Sequence, residues 1–408
     1  MEYAALMALT LMGVTAGLFV EPVDDDDDDS DSTSADSGSS VDTGSVDSVS
    51  VDSGAVAGGT DTGGVTTDGG TTTGGGTDTS TDTGTDTDTG TVSSGGTGDT
   101  VAGGLTITDG IIYGTEASES ITAIEGGETV VGAGGNDVIT GSDAANILDG
   151  QIGNDTVVGG VGDDQVFGSE GDDSVNGDAG DDLVAGGAGN DTVGGGIGDD
   201  SLFGDAGNDL MNGQDGNDEL IGGSGNDTMF GGVGDDTLLG SEGNDSIVDG
   251  DGNDSLYGGD GADTLDGGHG ADQLFGIWDG DDDTQINAQD LVDPDTLLGG
   301  QGADDIQLGS GDTAFGEDGS DVFYTGTWVD PDYAPKIMDL AEDEVVIVSV
   351  PIGESAGTSI ELAIDDLSGD TLVQANGQTV VVVSSGAATV TLDQILVVES
   401  DDILQTAA

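Results

Sequence analysis

A carboxylate recurs at every ninth residue through the middle of the chain. Counted from Gly132, sixteen consecutive nonapeptides run to Phe275, and the sixth position is Asp in all of them except one, which has Asn146. Ionised carboxylates offer hard oxygen ligands to metal cations, whereas acid and base catalysis needs one distinct pair of groups. Because the same residue repeats throughout, the spacing predicts a series of metal ligands and singles out no catalytic pair.

The candidate metal ligands are the sixth-position aspartates of these repeats and of two later ones. The period is interrupted by an insertion at 276–289, resumes at residue 290 and ends at residue 324. The candidates are Asp137, Asp155, Asp164, Asp173, Asp182, Asp191, Asp200, Asp209, Asp218, Asp227, Asp236, Asp245, Asp254, Asp263, Asp272, Asp304 and Asp321. Two degenerate repeats precede the array and have Glu119 and Glu128 at the sixth position. The first sites are therefore expected to bind metal most weakly.

The rest of each repeat predicts how these carboxylates are positioned. A repeat has the form G-G-x-G-x-D-x-U-x, in which U is aliphatic or Met. The glycines permit a tight turn, and x-U-x predicts a three-residue strand with one side chain directed inward. Two repeats then make one coil, and residues 18 apart stack at about 4.8 Å. The predicted fold class is all-β, a parallel β-roll, which is a β-solenoid of nonapeptide repeats.

The charge balance predicts that this roll needs a cation. The 408-residue chain has 85 acidic residues against one Lys, for a net charge of -84. Carboxylates stacked about 4.8 Å apart repel by about 1 kcal/mol per pair even in water. Ca²⁺ accepts six to eight oxygen ligands in flexible geometry, which suits such turns better than the strict octahedron of Mg²⁺. Multiple Ca²⁺ sites are therefore expected, with binding coupled to folding, and nucleic acid is excluded as a partner because phosphate requires basic residues.

The array resembles the RTX, or hemolysin-type, calcium-binding repeat proteins over residues 132–324, with a weaker extension to residue 114. The resemblance implies Ca²⁺ in the groove between successive turns, with the sixth-position Asp as carboxylate ligand. Backbone carbonyls of the first, third and fifth positions are implied as further ligands. It also implies type I secretion, and so an extracellular or cell-surface location on a Gram-negative bacterium.

Outside the repeats, composition divides the chain into further segments. Residues 1–22 contain an uncharged apolar run at 3–20, expected to be a signal, a membrane anchor or a segment with no such role. Residues 23–104 are Asp, Ser, Thr and Gly, typical of a disordered linker. Residues 105–324 form the predicted roll. Residues 325–408 are expected to form a small β cap with a hairpin at Asn376-Gly377 and to carry a candidate secretion signal.

Ninth-position residues of alternate repeats form a mostly apolar outward stripe. It comprises Phe167, Phe203, Ile221, Leu239, Tyr257 and Phe275. One interpretation is lateral packing along the sheet. The other is docking on the cap, a second copy or an extracellular partner, because continuous exposed apolar patches mark contacts.

These observations predict a secreted or surface-attached calcium-binding protein with a structural or adhesive role and no enzymatic activity. The chain has no Cys, a single His269 and a single basic residue, Lys336. His269 is expected to face solvent, and Lys336 is expected to form an ion pair in the cap. The alternative is a secreted hydrolase or toxin whose activity resides in residues 325–408.

Overall fold

The computed structural model describes residues 89–92, 105–108, 111–123, 127–276, 294–327, 329–351, 354–387 and 389–399. All of them belong to one compact unit, Thr81–Ala408. The apolar run at 3–20, most of the predicted linker, the insertion beyond Gly276 and the last nine residues lie outside the described part. Among the described residues, no helix has the length and apolar character needed to cross a membrane.

The repeats form short strands, each followed by a turn. The first strands are β1 (Thr89–Val92), β2 (Thr106–Thr108), β3 (Ile111–Tyr113), β4 (Ser120–Ala123), β5 (Thr129–Val131), β6 (Val138–Thr140) and β7 (Ile147–Ile152). The regular coils consist of β8 (Thr156–Val161), β9 (Gln165–Glu170), β10 (Ser174–Ala179), β11 (Leu183–Ala188), β12 (Thr192–Ile197), β13 (Ser201–Ala206), β14 (Leu210–Asp215), β15 (Glu219–Ser224), β16 (Thr228–Val233), β17 (Thr237–Glu242), β18 (Ser246–Asp251), β19 (Ser255–Asp260) and β20 (Thr264–Gly270). The array closes with β21 (Gln273–Phe275), β22 (Thr296–Leu298), β23 (Gln301–Gly302), β24 (Asp305–Gln307), β25 (Thr313–Phe315), β26 (Asp318–Gly319) and β27 (Val322–Gly326).

From β3 to β20, successive strands alternate between two sheets, and each pairs in parallel with the strand two places further along the chain. Val157 in β8 is aligned with Val175 in β10, which is aligned with Val193 in β12. The other sheet repeats this register from β7 to β21. The predicted solenoid with an 18-residue coil is confirmed, with about 11 turns over the repeat region.

The strands are longer than the sequence predicted. From β7 to β19 each has six residues, covering positions seven to nine of one repeat and the first three positions of the next. The prediction of three-residue strands was wrong because backbone pairing continues into the glycine turn. The N–H of Val161, at a third position, donates to the carbonyl of Ser142 in the preceding coil at 3.0 Å.

A single line of apolar side chains from each sheet fills the interior. Eighth-position residues such as Val166, Leu202, Met211 and Leu256 have no solvent exposure. The seventh and ninth positions point outward, as a two-residue alternation requires. The core is therefore only one side chain thick from each sheet, and apolar burial per turn is small compared with that of an ordinary domain.

Fourth-position glycines allow successive turns to approach closely. Gly207 has a φ of 144°, which L side chains rarely adopt. A Cβ at this position would overlap the carbonyl oxygen of Gly189, its counterpart in the preceding coil. Any side chain here would push two turns apart, so the glycine is required by both conformation and space.

The N-terminal end of the roll is closed by additional strands. β2 and β3 form an antiparallel hairpin, and β3 then pairs in parallel with β5. Leu105 and Ile107 are buried in the apolar core there. β1 pairs in parallel with β4, so these four residues differ from the linker predicted over 23–104.

The C-terminal region continues both sheets. Its elements are η1 (Pro331–Tyr333), β28 (Lys336–Ile337), β29 (Val345–Val350), η2 (Ser355–Gly357), β30 (Ile360–Ile364), β31 (Thr371–Ala375), β32 (Gln378–Val383), η3 (Leu392–Gln394) and β33 (Ile395–Glu399). β29 and β33 extend one sheet in parallel from β27, which crosses the boundary predicted at residue 324. The antiparallel strands β30, β31 and β32 extend the other, and Asn376-Gly377 forms the predicted hairpin turn.

Replacing Gly207 with Ala tests the close approach of turns. We expect the free energy of unfolding in saturating calcium to fall by at least about 1–3 kcal/mol, the usual cost of a strained backbone conformation. Gly357→Ala is the matched control, since no atom lies within 4 Å of its added Cβ. Denaturant unfolding followed by circular dichroism measures both, and equal stability of the two variants would contradict the close-packed turn.

Candidate metal centre

Each sixth-position aspartate uses one carboxylate oxygen to bind the backbone of the preceding coil. The N–H of Asp173 donates to Oδ1 of Asp191 at 2.7 Å, and the N–H of Asp182 donates to Oδ1 of Asp200 at 2.8 Å. The same bond repeats along both edges of the roll. These carboxylates therefore have a structural role that the sequence pattern did not reveal.

The other oxygen, Oδ2, is buried and has no hydrogen-bond donor among the described residues. This holds for Asp137, Asp155, Asp164, Asp173, Asp182, Asp191, Asp200, Asp209, Asp218, Asp227, Asp236, Asp245, Asp254, Asp272, Asp304 and Asp321. A buried carboxylate oxygen without a donor is costly unless a proton or a cation neutralises it. A row of such atoms is a row of candidate cation ligands.

First-position glycines leave space beside these oxygens. A Cβ built on Gly132 would lie 2.6 Å from Oδ2 of Asp137 and 2.7 Å from the carbonyl oxygen of Gly150 in the next coil. The same pair of atoms borders Gly159, where Oδ2 of Asp164 and the carbonyl oxygen of Gly177 both lie 2.6 Å from the added atom. An anionic oxygen and a carbonyl oxygen thus border one small space in most turns, and this donor set fits Ca²⁺.

Burial makes the charged form of these aspartates unfavourable. It raises the pKa of Asp200 and Asp209 to about 7 and that of Asp173 to about 6, against an ordinary 3.8. The backbone hydrogen bond to each carboxylate opposes the rise, and the neighbouring aspartates of the row add to it. The row as folded therefore favours protons or cations at neutral pH.

One family of known proteins shares this repeat. The RTX calcium-binding nonapeptide repeat (4 copies) matches the chain at 122–157, 158–193, 186–220, 194–229, 203–238, 212–247, 239–274 and 292–313. This array belongs to the RTX calcium-binding repeat family. No curated protein matches the chain. We refer to residues 122–313 as the RTX array.

The structure arranges all seventeen predicted residues in two rows, one along each edge. The first row contains Asp137, Asp155, Asp173, Asp191, Asp209, Asp227, Asp245 and Asp263. The second contains Asp164, Asp182, Asp200, Asp218, Asp236, Asp254, Asp272, Asp304 and Asp321. All of them are buried.

Two aspartates that were not predicted continue the first row beyond the insertion. The N–H of Asp263 donates to Oδ1 of Asp295 at 2.8 Å, and the N–H of Asp295 donates to Oδ1 of Asp312 at 3.1 Å. Asp295 occupies the sixth position of the repeat that starts at residue 290, so the period could have identified it. Asp312 lies in a repeat that is one residue shorter than the others, so the nine-residue period does not place it at the sixth position.

Glu344 of the C-terminal region ends the second row. Its Oε2 accepts a hydrogen bond from the N–H of Ala341 at 2.6 Å, while Oε1 is buried and has no donor within the described ranges. A Cβ on Gly316 would lie 3.2 Å from Oε1 and would meet Oδ2 of Asp321 as well. Glu344 thus takes the place of the next aspartate, and no nonapeptide pattern surrounds it to signal this.

The first repeats of the RTX array use their sixth-position side chains differently. Oδ1 of Asn146 accepts from the N–H of Ser142 at 2.8 Å, within its own turn. The carboxylate of Glu119 likewise accepts from the N–H of Thr115 at 3.1 Å. Their polar atoms are satisfied locally, in keeping with the expectation that the first sites are weak.

The remaining singled-out residues occupy outer positions. His269 is exposed and its Nδ1 lies 2.6 Å from Oδ1 of Asp251. Lys336 forms the predicted ion pair in the cap, with Nζ 3.2 Å from Oδ2 of Asp370. Both expectations are confirmed.

The apolar stripe lies on the outer face of one sheet. Its members are aligned laterally, with Phe203 beside Ile221 and Leu239 beside Tyr257. The rings of Tyr257 and Phe275 stack at 4.6 Å. Most members are half-buried by this lateral packing, which supports the first interpretation, and docking stays a prediction.

Asp200→Asn tests the charge at the inner carboxylate. The amide oxygen can still accept from Asp182, but the anionic Oδ2 is lost, so we expect about a tenfold higher calcium concentration at the midpoint of folding. The adjacent Asp199→Asn is the matched control. Asp199 is exposed, and its Oδ1 accepts a hydrogen bond from the N–H of Asn217. An Asn side chain can make the same bond, since Oδ1 of Asn208 accepts from the N–H of Asn226. Calcium titration followed by circular dichroism measures both. Equal midpoints would contradict a ligand role for Asp200.

Acidification of metal-free protein should promote folding. The folded pKa values of about 6–7 exceed the ordinary 3.8, so between these limits the folded state binds more protons than the unfolded state. Stability is then largest below about pH 4 and is lost as the pH rises through 6–7. Circular dichroism in chelator from pH 4 to pH 8 measures this. Constant β content across that range, or β content that increases with pH, would contradict the sign.

Proposed function

We propose that this chain is an exported calcium-binding protein whose RTX array folds on binding calcium outside the cell. Its role is structural or adhesive, and it has no enzymatic activity. The observation that carries the proposal is that most aspartates of the two rows have a buried Oδ2 with no donor in the described part of the chain. Their spacing is set by backbone pairing, so once the coil forms every carboxylate has a neighbour of the same charge.

The side chains and the backbone divide the binding between them. Oδ1 of each aspartate holds the preceding coil, which orients Oδ2 toward the space beside a first-position glycine. The carbonyl of the equivalent glycine in the next coil borders the same space, as Gly150 does for Asp137. A bound Ca²⁺ supplies the positive charge and the coordination demand that these oxygens share. Two coils contribute to each site, so binding joins them.

Without a cation the same arrangement opposes folding. Each turn buries one aliphatic side chain and one carboxylate, and the acidic rows repel along the whole array. The free energy of calcium binding then supplies the free energy that folds the roll, because the sites form only when the coils stack. We infer that the chain is unfolded where calcium is scarce and folded where it is abundant, which suits export through a narrow channel followed by folding outside.

The location and the absence of catalysis follow from this proposal and from composition. The resemblance to RTX proteins supports type I export and an extracellular or cell-surface location. One His and no Cys in the sequence leave no set of nucleophile, base and orienting group. A rod of uniform coils with an acidic surface supports a structural role, and the apolar stripe supports adhesion.

Calcium titration of the full chain tests the proposal. We expect a cooperative gain of β structure by far-UV circular dichroism with calcium, and little gain with magnesium at equal concentration, because Mg²⁺ retains its waters and demands octahedral geometry. Full β content in excess chelator at neutral pH would overturn calcium-dependent folding. An equal response to magnesium would overturn the selectivity.

A further inference from the structure

Of the sixteen uninterrupted repeats, fifteen carry Gly at the first position, and Asp249, which begins the repeat 249–257, is the single exception. First positions point inward, because the glycines there are buried beside the sixth-position carboxylates. A carboxylate at this position is therefore placed inside the row of sites and not on the surface.

Asp249 meets two sixth-position aspartates of the second row. One carboxylate oxygen from each of Asp236, Asp249 and Asp254 lies within 4.8 Å of the others. All three residues are buried, with Asp249 only 6% exposed. Both oxygens of Asp249 and Oδ2 of the other two have no hydrogen-bond donor among the described residues.

The substitution changes the donor set of one turn. Beside Gly159 the added Cβ would meet a carboxylate oxygen and a backbone carbonyl, as in most turns. Beside Gly231 it would overlap Oδ1 of Asp249 and lie 2.7 Å from Oδ2 of Asp236. An anionic oxygen therefore lies next to this glycine where most other turns have a neutral carbonyl oxygen.

The size and charge of the cluster suit a large hard cation. Ca²⁺ binds oxygen at about 2.3–2.6 Å, so two ligands of one ion are at most about 4.6–5.2 Å apart, and the three oxygens meet this limit. Burial and the charges of Asp254 and Asp236 raise the pKa of Asp249. A hydrogen bond between the carboxyl groups of Asp236 and Asp249, one of them protonated, is the rival explanation for the cluster.

We propose that Asp236, Asp249 and Asp254 form a three-carboxylate site that binds Ca²⁺ more tightly than the other sites of the RTX array. The proposal rests on the proposed function, because it ranks one site among those that bind calcium. Affinity in oxygen-ligand sites increases with the number of charged ligands. This site is then the last to lose its cation when calcium is withdrawn.

The test compares Asp249→Asn and Asp249→Gly with a control in the full chain. Asn keeps the shape and removes the charge, while Gly restores the residue found at the other first positions, so this variant retains the turn. Asp260→Asn is the control, since it removes one charge from an exposed third position in the next repeat. Calcium binding is measured by isothermal titration calorimetry in the presence of a competing chelator.

We expect wild type and Asp260→Asn to bind one calcium at a free concentration at least about tenfold below that needed by the rest. Both Asp249 variants should lose this tight step and keep the weaker ones. A tight step that survives in both variants, or that wild type lacks, overturns the three-carboxylate site and leaves the proposed function standing. Wild type that binds no calcium overturns both.

Discussion

Most turns of this roll bury a carboxylate of which only one oxygen accepts a hydrogen bond within the described part of the chain. Oδ1 of Asp209 accepts from the backbone of Asp191, while its Oδ2 has no donor among the described residues. The apolar contribution of the same turn is a single side chain such as Leu202 or Met211. The fold therefore depends on neutralising the carboxylate row more than on its narrow hydrophobic core.

The same constraint explains why the repeat varies so little. Each turn contacts the turns 18 residues before and after it. A residue must therefore fit against the equivalent residue in both neighbouring coils. Gly207 approaches the carbonyl of Gly189, and the space beside Gly159 is bordered by atoms from two coils. The glycines are therefore as necessary as the aspartates. The same turn must supply the metal ligands and also allow the backbones of two coils to approach closely.

The nine-residue period was enough to predict the coil, its register and the two rows, because all of these follow from stacking equal units. It could not predict the bond from Oδ1 to the preceding backbone, which depends on side-chain orientation. It also missed Glu344, which reaches the row from a segment without repeats. Asp249 was visible as the one first position of the sixteen uninterrupted repeats that is not Gly. Its role could be inferred only once the structure showed that first positions face the candidate metal sites.

The two ends of the array meet the charge constraint in different ways. At the N-terminal end, Asn146 and Glu119 accept hydrogen bonds within their own turns, and the hairpin of β2 and β3 adds Leu105 and Ile107 to the core. At the C-terminal end, Glu344 adds another buried carboxylate beside Asp321. The first coils are therefore stabilised by groups already present in the chain, whereas the last coils and the cap share a carboxylate pair. The N-terminal end therefore depends less on a cation than the end beside the cap, where Asp321 and Glu344 each have a buried oxygen without a donor among the described residues.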